Sequence, residues 1–501
     1  MGSARATAKR PRSMPKLLGF TLLGALLPGL GLIVGGRRKL GAFVLTVFFA
    51  LAGVAAYVAL TRRDEVIAAA VVPSRLLITS VLIGALAFLW IVVVVGSHRS
   101  LRPATGGTGG RVAGALFVGV LCFAIAAPAA IGVQTVLAQR TLVQDVFQSQ
   151  GESKSATRPT TVNVKDPWED RPRLNLLLLG GDDAPSREGV RTDTVIVASI
   201  DTKTGNTSLI SMPRNLTFMP FPADSPLHKF YPDGFGKEGL SLDGRLEWML
   251  TAMYQNIPDA HPGILGPSDN EGADVVKQSV GEATGLKIDY YLQVNLTSFP
   301  EIVDALGGIT VNVNERVAMG GVSSAGIPPK EWIEPGPRQH LDGRHALWFA
   351  RGRYGADDDQ RQVRQRCVIK AMVDAADPQT LVTKYKAIAK AGRHLLRTDI
   401  PQELLPAMVQ LALKVKSATV ANVTLDSEKL RLKYLHPDYQ ALRATVQAAI
   451  STDPAPATTP VTPTSPKATR KPTTTTTTPP PGPTQNLADA CAYNPSGDQP
   501  N

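Results

Sequence analysis

The chain has 501 residues and a formal net charge of +11, a length that holds one large domain plus accessory segments. Residues 1–111 carry 14 Lys/Arg against 2 Asp/Glu, which leaves the rest of the chain close to neutral. The basic excess therefore belongs to the N-terminal region, and no basic stripe with interleaved aromatics lies outside it, which argues against nucleic acid as a partner.

Four apolar stretches open the chain, at about 17–36, 40–60, 76–96 and 112–133, each near the ~20 residues that span a bilayer. Basic residues flank them: Arg5, Lys9, Arg10, Arg12 and Lys16, then Arg37-Arg38-Lys39, Arg62-Arg63, and Arg99, Arg102 and Arg111. Pro28-Gly29, with Gly31, Gly35 and Gly36, breaks the first stretch, so 17–36 is expected to be re-entrant. Three true spans then keep Arg37-Arg38-Lys39 and residues 98–111 inside and export everything from 134 onward, in accord with the positive-inside rule. Arg62, Arg63 and Arg75 fall outside in this topology, partly offset by Asp64 and Glu65. No short apolar run precedes a small-residue cleavage site, so a cleaved signal peptide does not fit.

Residues 134–170 are mixed and polar and are expected to form a stalk. Globular periodicity runs from Leu174 to about Ile450, enough for a substantial core. Buried strands are expected at 176–179, 194–200 and 207–212, the last two joined by the turn cluster Asp201-Thr202-Lys203-Thr204-Gly205-Asn206. A helix at 273–284, a strand at 290–294, a helix at 299–306 stopped by Gly307-Gly308 and a strand at 309–313 follow. Helices near 343–350 and 360–376 complete the pattern. The alternation predicts an α/β fold, an α/β/α layered domain around a mixed central sheet, preceded by an N-terminal helical transmembrane region. From 451 the composition collapses to Thr, Pro and Ala, and 451–501 is expected to be a disordered tail. Cys122 lies in an apolar span. Cys367 and Cys491 fall in the exported part, where a disulfide and two separate thiols are equally open.

Strand direction brings chemistry together. The first strand runs into Gly180-Gly181-Asp182, and the second, if antiparallel, starts at Arg191-Thr192-Asp193-Thr194 beside the same sheet edge. The third returns to end in Ser211-Met212-Pro213-Arg214. Each of Asp182, Arg191, Asp193 and Arg214 alone would be an ordinary turn cap or surface charge. Together they suit Mg²⁺, which takes one or two carboxylates plus substrate phosphate, and arginine, which binds phosphate bidentately. A second cluster holds Arg351 and Arg353, then Asp358, Arg361, Arg364, Gln365 and Arg366, behind the apolar run 346–350. Gly234, Gly236 and Gly239 make no P-loop, because no Gly-Lys-Ser/Thr follows. His228, His261, His340 and His345 are only nominal bases; Asp193 or Asp358 is the expected helper in proton transfer.

These strings resemble the LytR-CpsA-Psr family of bacterial envelope proteins: Gly-Gly-Asp, Arg-Thr-Asp-Thr, Ser-Met-Pro-Arg, and Arg-Gly-Arg followed by Asp-x-x-Arg-x-x-Arg-Gln. So does 288–291 (Ile-Asp-Tyr-Tyr) leading into 303–309 (Val-Asp-Ala-Leu-Gly-Gly-Ile). The match covers about 174–380 in order, and the spans and Thr/Pro tail are similar to those of actinobacterial members. The resemblance implies an exported catalytic domain over 171–450, in a multi-pass protein of the cell membrane. Its expected activity is a Mg²⁺-dependent (or Mn²⁺-dependent) phosphotransferase reaction. A glycopolymer (arabinogalactan, teichoic acid or capsule-like) would move from a polyprenyl-pyrophosphate carrier in the membrane lipid onto peptidoglycan. A pyrophosphatase and a non-catalytic, envelope-lipid-binding regulator are the alternatives. By motif, Asp182 and Asp193 would hold the metal, and Arg191, Arg214, Arg351, Arg353, Arg361 and Gln365 would bind the pyrophosphate. Arg214, Arg191 and Asp193 would be catalytic, with Asp358 and Arg364 in support. One departure stands out: many members carry Asp after Pro-Arg, where this chain has Asn215.

Overall fold

The computed structural model describes residues 14–102, 108–159, 163, 166–182, 191–295, 299–321, 326–355, 358–376, 396–423, 425–432, 435–451 and 484–494. The loop 183–190 and the run of threonines and prolines at 473–481 lie outside them. The chain divides into two compact units, Met1–Val143 and Gln144–Asn501.

The first unit is helical: α1 (Met14–Leu26), α2 (Leu30–Val34), α3 (Arg38–Thr61), α4 (Arg63–Ala69), α5 (Pro73–Leu101) and α6 (Thr108–Val146). Helices α3, α5 and α6 are long and apolar enough to cross a membrane. Their large apolar side chains, among them Phe43, Phe88 and Phe123, point outward, which suits a hydrocarbon solvent and anchors the chain at a membrane. Between α1 and α2 the backbone turns at Pro28-Gly29, where Gly29 adopts φ +104° and packs against the Gly41 carbonyl, so a Cβ could not be placed there. The indole of Trp90 on α5 donates to the Ala25 carbonyl at 2.9 Å. Helix α6 continues to Val146, thirteen residues past the expected end of the last span, because 134–146 keeps enough Val, Leu and Ala to sustain it.

The second unit is built on a seven-stranded mixed sheet. Its strands are β1 (Arg173–Asp182), β2 (Arg191–Asp201), β3 (Thr207–Met212), β4 (Tyr290–Asn295), β9 (Leu396–Thr398), β10 (Val420–Val423) and β11 (Thr484–Asn486), in the order β11-β10-β3-β2-β1-β4-β9. The first three form the expected antiparallel meander, with Leu177 opposite Val197 and Val197 opposite Ile210. Strand β4 joins β1 in parallel, and β10 joins β3 in parallel. Gly205, at φ +82°, closes the β2–β3 turn.

Period-two alternation serves both faces of the sheet. Leu177, Leu179, Val195, Val197, Ile210 and Met212 pack on one side. They meet α8 (Leu250–Ala260), α9 (Glu271–Thr284) and the helix Tyr439–Ser451, which supplies Leu442 and Val446. Ile196, Ala198 and Leu209 pack on the other side with Leu487. A second core joins α10 (Phe299–Leu306), β5 (Ile309–Val313), β6 (Val317–Met319), β7 (Glu331–Ile333), β8 (Gly336–Leu341), α11 (Gly343–Arg351) and α12 (Asp358–Ala375).

Two expectations need correction. The polar segment after α6 is docked on the domain rather than a free stalk. Buried Asp274 accepts from the Ser155 hydroxyl (3.0 Å), the Ala156 amide (3.0 Å) and the Thr157 hydroxyl, and Lys154 N donates to Asp269 (2.7 Å). A buried carboxylate needs donors, and this segment supplies them. The tail is also not disordered throughout: residues 484–494 form β11 and a short helix, Leu487–Ala490, and Cys491 is disulfide-bonded to Cys367. Composition conceals this stretch because eleven residues carry little weight beside a long Thr/Pro tract.

Candidate active site

The expected convergence at the sheet edge is present, and a β-bulge shapes it. Asp182 pairs with Arg191 and Gly181 with Thr192, but Gly180 pairs with Thr194, so Asp193 is the extra residue on β2. A bulge releases its extra residue from the ladder and re-aims its side chain. That side chain forms an ion pair with the Arg214 guanidinium, with side-chain exposures of 17% and 28%. Pro213 ends β3, and Thr251 N donates to the Arg214 carbonyl at 3.0 Å, so the start of α8 fixes the arginine's backbone.

Helix α12 brings the third member. Arg361, 3% exposed, donates through Nη1 to the Asp193 carbonyl oxygen at 3.3 Å. Burial pushes the Asp193 carboxyl up, but Arg214, Arg353 and Arg361 outweigh it and hold the group below the usual carboxylate range. The arginine charges thus favour the carboxylate form of Asp193.

Other residues set the frame. Arg364 donates to the Gly352 carbonyl, and a Cβ on Gly352 would stand 2.7 Å from the Ala318 carbonyl oxygen. Close packing thus pins the turn between Arg351 and Arg353. Gln365 is buried on α12. Two predicted ligands are engaged away from Asp193. The Arg191 guanidinium pairs with Glu247, whose carboxylate also accepts from Asn256 Nδ2 at 3.1 Å. Arg351 is exposed, its guanidinium 5.4 Å from the Trp348 ring centroid. Asp182 ends β1 and Asp358 opens α12, but their side chains lie outside the described residues. Two of the nominal histidines are engaged elsewhere: His345 contacts Asp342, and the His261 ring lies tilted against Phe230 with centroids 4.2 Å apart.

Two contributors escaped sequence reasoning. Glu247 and Asn256 carry no motif. Arg366 of the second cluster is buried and donates to the Ser211 hydroxyl at 2.7 Å. Among the described residues no cluster of three or more His, Cys, Asp or Glu could hold a metal. The donor chemistry nonetheless fits a hard cation, since one ionised carboxylate at the end of two strands can share it with substrate phosphate.

The model of the LytR_cpsA_psr family matches residues 138–450. The chain is 28% identical over 246 residues to a protein of Oceanobacillus iheyensis named polyisoprenyl-teichoic acid–peptidoglycan teichoic acid transferase TagU, covering 48% of this chain and 63% of that one. It is 26% identical over 260 residues to the Bacillus subtilis protein of that name, covering 52% and 68%. Among solved structures, B. subtilis TagV aligns with a TM-score of 0.37 at 20% identity, over 56% of this chain and 97% of that one. A LytR-Csp2A-Psr enzyme from Actinomyces oris aligns with a TM-score of 0.35 at 18% identity, over 54% and 89%. With the family model covering more than half its length, the chain belongs to the LytR_cpsA_psr family.

Proposed function

We propose that the protein is a membrane-anchored phosphotransferase whose catalytic unit is extracytoplasmic, and that it transfers a glycopolymer from a polyprenyl-pyrophosphate carrier to peptidoglycan. The observation that carries this reading is the Asp193–Arg214 ion pair at the strand ends, with Arg361 donating to the Asp193 carbonyl and the charges of Arg353 and Arg361 acting on its carboxyl. Family membership and relatives named as teichoic acid–peptidoglycan transferases support it. The Cys367–Cys491 disulfide and the positive-inside pattern support export, because disulfides persist in oxidising compartments.

In this reaction a sugar hydroxyl of the acceptor attacks the phosphorus that carries the glycopolymer. The bond from that phosphorus to the bridging oxygen breaks, and polyprenyl phosphate leaves. Arginines stay charged and grip phosphate oxygens in pairs, so Arg214, Arg353 and Arg361 bind and neutralise the pyrophosphate, joined by Arg191 and Arg351 when substrate engages them. Arg364, through the Gly352 carbonyl, holds the turn that carries Arg351 and Arg353. Asp193, with Asp182, would hold Mg²⁺, which on binding would withdraw charge from the phosphoryl oxygens. The polymer transferred is one with a polyprenyl-pyrophosphate anchor, as in teichoic acid, arabinogalactan or capsule.

The test is transfer from radiolabelled lipid-linked donor to acceptor glycan with Mg²⁺. Asp193→Ala and Arg214→Ala should abolish it. Donor hydrolysis without transfer would replace the ligase with a pyrophosphatase, and full wall attachment by both variants in cells would leave a non-catalytic protein.

A further inference from the structure

Helix α12 carries Arg361 into the site, yet its first half offers little apolar surface. Residues 358–366 include one aliphatic side chain, Val363, and bury Arg361, Gln362, Gln365 and Arg366. Burying guanidinium groups opposes folding unless they are specifically paired, so apolar packing does not seat this end of the helix. Specific ties do. Arg366 donates to Ser211, three residues before Arg214. Its neighbour Cys367 is bonded to Cys491 across 124 positions of sequence, with Cα atoms 5.6 Å apart.

Cys491 belongs to a segment that is itself fastened at three places. Strand β11 pairs with β10 at Ala421–Asn486, Asn422–Gln485 and Val423–Thr484. Leu487 is buried against Ile196, Ala198 and Leu209, beneath β2 and β3. Asn312 Nδ2 donates to the Cys491 carbonyl at 2.9 Å, and Asn314 Nδ2 donates to the Ala492 carbonyl at 3.1 Å while its Oδ1 accepts from Asn494 N at 2.8 Å. The segment thus touches the main sheet, the strand β5 of the second core, and α12. It lies wholly beyond the residues matched by the family model.

We propose that residues 484–494 are a clamp that seats α12, and that Cys367, Cys491 and Arg366 are positioning residues for Arg361 and for the Asp193–Arg214 pair. This rests on the phosphotransferase reading above. Its consequence is that the pyrophosphate site is fully assembled only once the disulfide has closed. In that step the two thiols lose two protons and two electrons to a protein disulfide donor, which leaves as a dithiol. A chain still in a reducing compartment would hold the arginines out of register, and export would complete the site.

The experiment uses the full chain in detergent micelles. Inorganic pyrophosphate, with and without Mg²⁺, is titrated into oxidised protein, into protein reduced and alkylated, and into Cys367→Ser/Cys491→Ser, all well below each sample's unfolding midpoint. Reduction should weaken pyrophosphate binding about tenfold or more and should leave the double-serine variant, already weak, unchanged. Arg366→Met should weaken binding likewise, and Arg366→Lys should restore part of it. A melting point that falls while affinity stays within about twofold would mean that the clamp is only structural. If oxidised protein binds no pyrophosphate, the phosphotransferase reading fails, and the clamp is judged by amide exchange of residues 358–366: exchange must accelerate on reduction, and unchanged protection would overturn it.

Discussion

Asp193→Asn separates the two jobs assigned to the bulge carboxylate. The substitution keeps the shape and removes the charge that Arg214, Arg353 and Arg361 surround. Without metal, losing a negative charge beside the pocket should favour an incoming anion. At an effective dielectric of about 20 such a charge is worth about 2–4 kcal/mol, discounted for partial exposure to about 1–2 kcal/mol, or roughly 5–30-fold tighter pyrophosphate binding in EDTA. With Mg²⁺ the order should reverse: wild type gains affinity and the variant does not. Folding should suffer mildly, because the pair lies between exposed pairs (about 0–1 kcal/mol) and buried ones (about 3–5 kcal/mol). The pH dependence has a definite sign. The folded carboxyl is depressed, so its stabilisation is complete above the unfolded value near ~3.9 and is lost as pH falls through the folded value. Wild type should therefore lose more stability than the variant in acid. Calorimetric titration and chemical unfolding between pH 3 and pH 7 read all three effects. Equal enhancement by Mg²⁺ in both proteins would refute the metal assignment, and weaker binding by the variant in EDTA would refute the electrostatic picture.

Further expectations follow from single contacts. Glu247→Gln releases Arg191 from its exposed ion pair, worth about 0.2–1 kcal/mol, so pyrophosphate should bind up to about fivefold more tightly; an unchanged Kd would mean that Arg191 does not reach the ligand. Gly352→Ala forces a methyl against the Ala318 carbonyl and should shift the Arg351–Arg353 turn, costing about 1–3 kcal/mol of stability by urea unfolding together with pyrophosphate affinity. Lys277 and Asp399 form a nearly inaccessible ion pair, so Lys277→Met strands the carboxylate and should cost about 3–5 kcal/mol, whereas Lys277→Met with Asp399→Leu should recover much of that in thermal melts.

Local pattern was enough to place much of this protein. The unbroken apolar run Leu176–Leu179 and the apolar strands after it, a six-residue polar turn and the Pro213 stop point to a meander, and a meander carries Asp193 and Arg214 to one edge. The apolar N-terminal stretches announce themselves by length alone. Tertiary structure decided the rest. The bulge that re-aims Asp193 depends on a register slip between two strands. The diversion of Arg191 to Glu247 needs a partner 56 positions away. The docking of the post-helix segment on Asp274 and the fastening of 484–494 to α12 join residues more than 100 positions apart. Periodicity records which face of an element is apolar, whereas these contacts are set by which elements pack together, and a polar side chain looks alike in sequence whether it meets water or a distant partner.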